Sequence, residues 1–254
     1  MTPVATEVFA AGGYRFIPAV FQYSGGVAAE AGFRIERVRF RQPLPLARGF
    51  ERAAQIITAR GRPLGAFCAC ELRSPAPFTD AGFRAFNELY AGTLETWGIY
   101  DGKNRINPVA RSNVCPEIAA PAEPSFYAFA FTERAEAAPA SFVIAGSGEA
   151  REGGALYRER TVRYGETSAD AMREKARYVL GEMQRRLELL GFSWADTSAS
   201  QVYTVHDLYP FLADEIITRG AARFGLTWHY CRPPVRGLEF EMDCRAIAAE
   251  HLVE

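Results

Sequence analysis

Apolar and charged residues alternate over residues 33–40 (FRIERVRF), the two-residue period of a strand with one buried face. After the prolines at 43 and 45 the period lengthens, and residues 49–60 (GFERAAQIITAR) space their apolar positions as a helix does. Residues 63–72 return to a strand pattern, and a second helix is predicted over 79–94 with Phe83, Phe86, Leu89 and Tyr90 on one side. Strands at 112–118 and 125–132 close this half.

The plan then repeats. Residues 140–148 (ASFVIAGSG) predict a strand running into a glycine-rich bend. Thr167, with Asp170 three residues on, has capping-box form, and Met172, Ala176, Val179, Met183, Leu187 and Leu190 make the apolar stripe of a long helix that Gly191 stops. A strand at 198–205, a helix at 208–219 and strands at 227–230 and 238–247 complete the second half. Each half predicts a mixed sheet covered on one face by two helices, an α+β fold. Phe126, Phe129 and Phe131 make the other face apolar as well, which predicts sheet-to-sheet packing between domains or subunits. The Ala/Pro-rich stretch 132–139 is the expected linker, dividing the chain into domains 1–134 and 135–254.

A 254-residue chain with 48% hydrophobic residues has ample material for a core. Its 29 basic and 30 acidic side chains leave a formal charge of -1, so no bulk field draws nucleic acid or an anionic membrane, and any anion must be held locally. No apolar run is long enough to cross a bilayer and the N-terminus lacks the pattern of a secretory signal, so the expected location is cytoplasmic. Cys68, Cys70, Cys115, Cys231 and Cys244 show no CxxC and no neighbouring histidine, which argues against a disulfide framework or a zinc site. His206, His229 and His251 lack ligand spacing. The glycines of 23–27 and 146–148 match neither a P-loop nor a dinucleotide fingerprint, so neither metal nor nucleotide cofactor is expected.

Residues 107–116 (NPVARSNVCP) place an arginine, small polar groups and a thiol in an apolar, strand-forming neighbourhood. Arg111 there requires an anion: a substrate carboxylate or an interdomain salt bridge. Ser112 and Asn113 are either extra donors to that anion or turn residues. Cys115 is either a thiolate favoured by the nearby cation or a small buried hydrophobe. Glu241 and Asp243 share one strand face, which is either a polar surface or one wall of a cleft where Glu241 moves protons. His229 is either an acid-base group titrating near neutrality or a packed side chain.

The motifs SFVIAGSGEAREG, ELLGFSWADTSASQVYTVHDLYPF and GLEFEMDCRAIA resemble the RidA (YjgF-like) family of enamine and imine deaminases. The segments AFCACELRSPAPFTDAGFRAFNELY and VARSNVCPEI look like a more divergent copy. The resemblance covers most of residues 33–248 and implies two tandem chorismate-mutase-like domains, packing as a homotrimer, with small-carboxylate clefts between neighbouring domains. By motif, Arg111 matches the arginine that grips the substrate carboxylate, Asn87 the helix asparagine, Ser147 the serine of the Ser-Gly bend, and Glu241 the glutamate that positions or activates water. Neither copy keeps a whole set: the second-half arginine slot falls near Gly225 and Arg223, its asparagine slot near Glu215, and the first-half glutamate slot near Phe126.

The divergent tandem form is similar to deaminases of 2-aminomuconate and its relatives in aromatic-compound catabolism. The implied activity is cofactor-independent hydrolytic deamination of a small unsaturated mono- or dicarboxylate. A dicarboxylate needs two anion-binding groups, for which Arg111 and either Arg232 or Arg223 are candidates. Chorismatases resemble a two-copy version of the same fold, so a hydrolase releasing pyruvate is the alternative, and a non-catalytic carboxylate-binding protein is the third reading.

Overall fold

The alternation that begins at Phe33 runs on as one long strand, β4 (Phe33–Pro45), and Pro45 stands at the N-cap of helix α1 (Leu46–Ala59). The computed structural model describes residues 6–153 and 156–254; residues 1–5, at the head of the first expected domain, lie outside it. Strand β5 (Phe67–Arg73), helix α2 (Asp80–Thr96), β6 (Ala110–Pro116) and β7 (Ser125–Arg134) follow. Thr79 caps α2, its hydroxyl accepting from the Gly82 amide at 3.1 Å.

The second half contains β8 (Phe142–Gly148), the short helix α3 (Tyr157–Arg160) and the long helix α4 (Ala169–Leu189). Then come β9 (Ala199–Tyr203), α5 (Tyr209–Phe211) running into a π-helical segment at Leu212–Ile217, β10 (Thr227–His229), β11 (Cys231–Arg232) and β12 (Glu241–Ala246). The cap of α4 is Ser168 rather than Thr167: the Ser168 hydroxyl accepts from the Ala171 amide, and Asp170 falls in the first turn, facing the positive end of the helix. Gly191, at φ +83°, ends the helix as its position predicts.

The central strands of the two halves have the same order. In one sheet it is β6-β5-β7-β4, in the other β10-β9-β12-β8. In each, a helical crossover joins a parallel pair (β5 with β6, β9 with β10), and the remaining neighbours are antiparallel. The ends of the chain do not respect the 134/135 division. Strands β1 (Glu7–Phe9), β2 (Tyr14–Phe16) and β3 (Gly26–Ala29) extend the second-half sheet beside β8. Strand β11 and the terminal β13 (Ala249–Val253) flank the first-half sheet.

Helix α4 covers Phe142, Ile144, Val202 and Met242, while α1 and α2 cover Phe67, Phe126 and Phe129. The opposite faces pack on each other, Tyr14, Phe16 and Val27 against Ile35, Ala69, Ala110 and Ala130. Small residues at this interface let the sheets approach, and the Ser24 amide donates to the Val109 carbonyl at 2.9 Å across it. Among the described residues no helix is long and apolar enough to cross a membrane.

Two cations lie in the buried stripe of α4, Lys175 and Arg186. Lys175 meets Glu149 at 3.3 Å with both side chains fully buried, and Glu149 also accepts from the Glu239 and Phe240 amides. Lys175→Met strands that carboxylate and is expected to cost about 3–5 kcal/mol, read as a lowered midpoint in urea unfolding.

Candidate functional site

The cleft forms where β6, β8 and β12 converge, and it needs glycine to do so. A Cβ on Gly146 would collide with the Glu241 carboxyl and stand 3.0 Å from Ser112 Cα. Gly146→Ala is therefore expected to displace Glu241 and lower turnover about 100-fold, with a stability loss of about 1–3 kcal/mol, measured by steady-state assay and thermal melting of the same sample. The cleft encloses about 110 Å³, with Arg111, Asn113, Gly146, Ser147, Arg186 and Glu241 among its lining residues.

Arg111 enters from β6 with its guanidinium among the rings of Tyr90, Phe86, Tyr23 and Phe83, 4.7–5.8 Å from their centres. From α2 it meets Asn87, whose Oδ1 accepts from Nη2 at 2.6 Å. Nη1 is buried and has no hydrogen-bond partner among the described residues. The interdomain ion pair that was the alternative for Arg111 is not formed among those residues. Asn113 takes a hydrogen bond from Ser74 at 2.9 Å, which fixes its amide at the cleft wall.

Glu241 opens β12, paired with Gly148 on one side and Tyr203 on the other, and its carboxyl is buried above Gly146. Burial, reinforced by the Asp243 and Glu149 charges, pushes it well above the usual carboxylate range despite Arg111. The strand period places Asp243 on the same face one step deeper, where Ser112 donates to it at 2.5 Å, and Tyr203 and Gln201 at 2.8 Å. Ser112 thus ties β6 to β12 beneath the cleft.

Arg186, on α4, forms the facing wall. Its Nη1 donates to Ser147 Oγ at 2.8 Å and its Nη2 to Glu152 at 3.2 Å. Sequence reasoning missed it, although its spacing from Val179 and Met183 puts a charge inside an apolar stripe. Tyr157 and Arg160 complete the rim, the guanidinium stacked 3.8 Å over the ring.

Arg111, Asn87, Asn113, Ser147 and Glu241 are thus brought together, with Ser112 just below. Four other candidates stand apart. Cys115 lies beyond the cleft lining, and burial pushes its thiol up, so it is no thiolate near neutrality. His229 stacks 5.1 Å from Tyr203 and contacts Gln201 at 3.1 Å; burial and the Arg73 cation push its pKa down to about 4, not near neutrality. Arg232 is paired with Glu117 and Glu239 because β11 leaves β10's sheet for the other. Arg223 is exposed against Phe224, so neither arginine is the second cation of the cleft.

The slots missing from each copy are filled by other contacts. Phe126 packs edge-on to Phe50, 4.9 Å between centres, and Glu215 is clamped by Arg177 and Arg219. The cleft draws Arg111 from the first half and Ser147, Arg186 and Glu241 from the second, with Asn87 bonded to Arg111.

A protein-family model described as "2-aminomuconate deaminase CnbZ" matches residues 6–251. The 2-amino-5-chloromuconate deaminase of Comamonas testosteroni is 51% identical over 245 residues, spanning 96% of this chain and 97% of that protein. A solved chorismatase aligns with 88% of this chain and 77% of its own at 14% identity, TM-score 0.46. RidA from the Antarctic bacterium Psychrobacter sp. PAMC 21119 aligns with 42% of this chain and 80% of its own at 17% identity, TM-score 0.30.

Proposed function

We propose, from the premise that this chain belongs to the 2-aminomuconate deaminase CnbZ family, that it hydrolytically deaminates a 2-aminomuconate-like unsaturated carboxylate and releases ammonia. The observation that carries the reading is a fully buried carboxyl, Glu241, its pKa raised by burial, in the same cleft as Arg111, whose Nη1 has no hydrogen-bond partner among the described residues.

The substrate's carboxylate beside the amino carbon takes Nη1 of Arg111, while Asn87 fixes the other arm of the fork. Protonation of the enamine carbon gives the imine, and the protonated Glu241 is the group placed to supply that proton. Its carboxylate then accepts a proton from the water that adds to the imine carbon. The carbinolamine takes that proton from Glu241 on nitrogen and expels ammonia, and its hydroxyl proton passes to the Glu241 carboxylate as the carbonyl of the 2-oxo acid forms. Water's oxygen ends in the new carbonyl, and Glu241 returns to its acid form. The chemistry asks only for a held carboxylate, a placed water and one shuttling proton.

The units of the duplication in this reading are 1–134 and 135–254, with terminal strands exchanged between the sheets. The reading retains a homotrimer and a cytoplasmic location. Exposed Trp228, Tyr230 and Ile118 near edge strands β10 and β11 supply apolar surface for the first, and five free, buried thiols accord with the second. Sedimentation equilibrium at three times the monomer mass checks the assembly, and a monomer rejects it.

The test of function measures ammonia and pyruvate in parallel from 2-aminomuconate and chorismate. Ammonia from the first, equimolar with loss of the conjugated absorbance, is the expected result. Pyruvate from chorismate with no ammonia from 2-aminomuconate overturns it in favour of the chorismatase-like reading.

A further inference from the structure

Arg186 is 4% exposed, and its contacts leave one edge of the guanidinium underused. Ser147 occupies Nη1, while Nε, on the other edge, is buried with no hydrogen-bond partner among the described residues. Nη2 of that same edge reaches a single oxygen of Glu152, a rim carboxylate whose side chain is 48% exposed. Nε and Nη2 together form the side-on fork that takes a carboxylate in two parallel hydrogen bonds. Glu152 engages half of that fork.

The geometry points to Arg186 as the anchor for a second carboxylate at the far end of the substrate, with Glu152 holding its place until the substrate displaces it. The cleft would then select a linear, conjugated dicarboxylate over a monocarboxylate of the same length. Arg111 enters from β6 and Arg186 from α4, and Tyr23 lies in the field of both guanidiniums. The remaining cation of the lining, Arg160, stacks on the Tyr157 ring at the rim and donates Nη1 to the Arg151 carbonyl, its Nε without a partner among the described residues. A half-exposed ion pair contributes little, so a ligand carboxylate that fills both positions of the buried fork displaces Glu152 readily. The dicarboxylate assignment rests on the deaminase reading, but the subsite can be tested without turnover.

Muconate and sorbate serve as probes because they share a conjugated six-carbon chain and neither carries an amino group. Titration calorimetry on the wild type is expected to show muconate binding about 100-fold tighter than sorbate. Arg186→Gln weakens muconate by about the same factor and leaves sorbate unchanged, which a general loss of structure would not do. Glu152→Gln, at a half-exposed position that does not threaten folding, tightens muconate about 3- to 10-fold with no effect on sorbate. Equal affinity of the wild type for both acids, or equal weakening of both by Arg186→Gln, overturns the anchor; an unchanged muconate affinity in Glu152→Gln overturns the place-holding role. Ammonia release from 2-aminomuconate, measured on the same preparations, reports on the deaminase reading separately, since its absence leaves the muconate-to-sorbate ratio intact.

Discussion

Glu241→Gln lowers kcat by about 10²- to 10⁴-fold while KM changes little, because the amide keeps the size of the side chain but cannot exchange a proton. The reason for so large an effect is the environment: burial, with the Asp243 and Glu149 charges nearby, pushes the Glu241 carboxyl well above its ordinary range and favours its acid form. The same environment sets a stability trade. The folded-state pKa is raised, so below the ordinary carboxylate range the group is protonated in both folded and unfolded chains and costs nothing. As pH climbs past the unfolded value the unfolded chain ionises first, and stability falls until the folded pKa is passed. Glu241→Gln removes that loss, so its melting temperature exceeds the wild type's at alkaline pH and converges with it in acid. A thermal melt of both proteins at pH 5 and pH 8.5 checks the sign; a variant less stable at the higher pH contradicts it.

Arg111→Ala lowers kcat/KM by about 10²- to 10⁴-fold, the loss of a charge-assisted contact in a water-poor cleft. Lysine does not rescue it. The guanidinium lies among four aromatic rings and spends one arm on Asn87, an arrangement of flat cation and fork that an ammonium cannot reproduce. Asn87→Ala, which frees the arm without removing the charge, is expected to lower kcat/KM about 10-fold. Steady-state kinetics across Arg111→Ala, Arg111→Lys and Asn87→Ala decide this: a lysine variant near wild-type activity would mean that charge alone suffices.

Much of this arrangement can be read before folding is considered. The alternation at 33–40 and the stripe from Met172 to Leu190 reflect local burial, so strands and helices emerge near their observed places. Strands β1–β3 escape such reading because each spans only three or four residues, and β3 is fixed by a partner far along the chain: Ala28 pairs with Phe142. The terminal β13 is hidden for the same reason, its register set by parallel pairing with β4.

The site divides along similar lines. Arg111, Asn87, Ser147 and Glu241 sit in motifs, and the fold brings them to one cleft. Arg186 reads as one more charge on a polar helix next to Arg185, yet Arg185 bonds Glu182 on the outer face while Arg186 turns inward. A charge at a stripe position was the available signal, and Lys175 repeats it. His229 and Arg232 mislead because adjacent stretches of chain, β10 and β11, enter different sheets.

The central claim is that a protonated Glu241 moves the proton of deamination in a cleft where Arg111 holds the carboxylate. The most direct measurement is the pH dependence of kcat/KM for ammonia release from 2-aminomuconate, taken on the wild type and Glu241→Gln together. Wild-type activity is predicted to fall on the alkaline side as Glu241 loses its proton, and the residual activity of the variant to lack that limb. An identical alkaline limb in both proteins would assign the titration to another group and contradict the account.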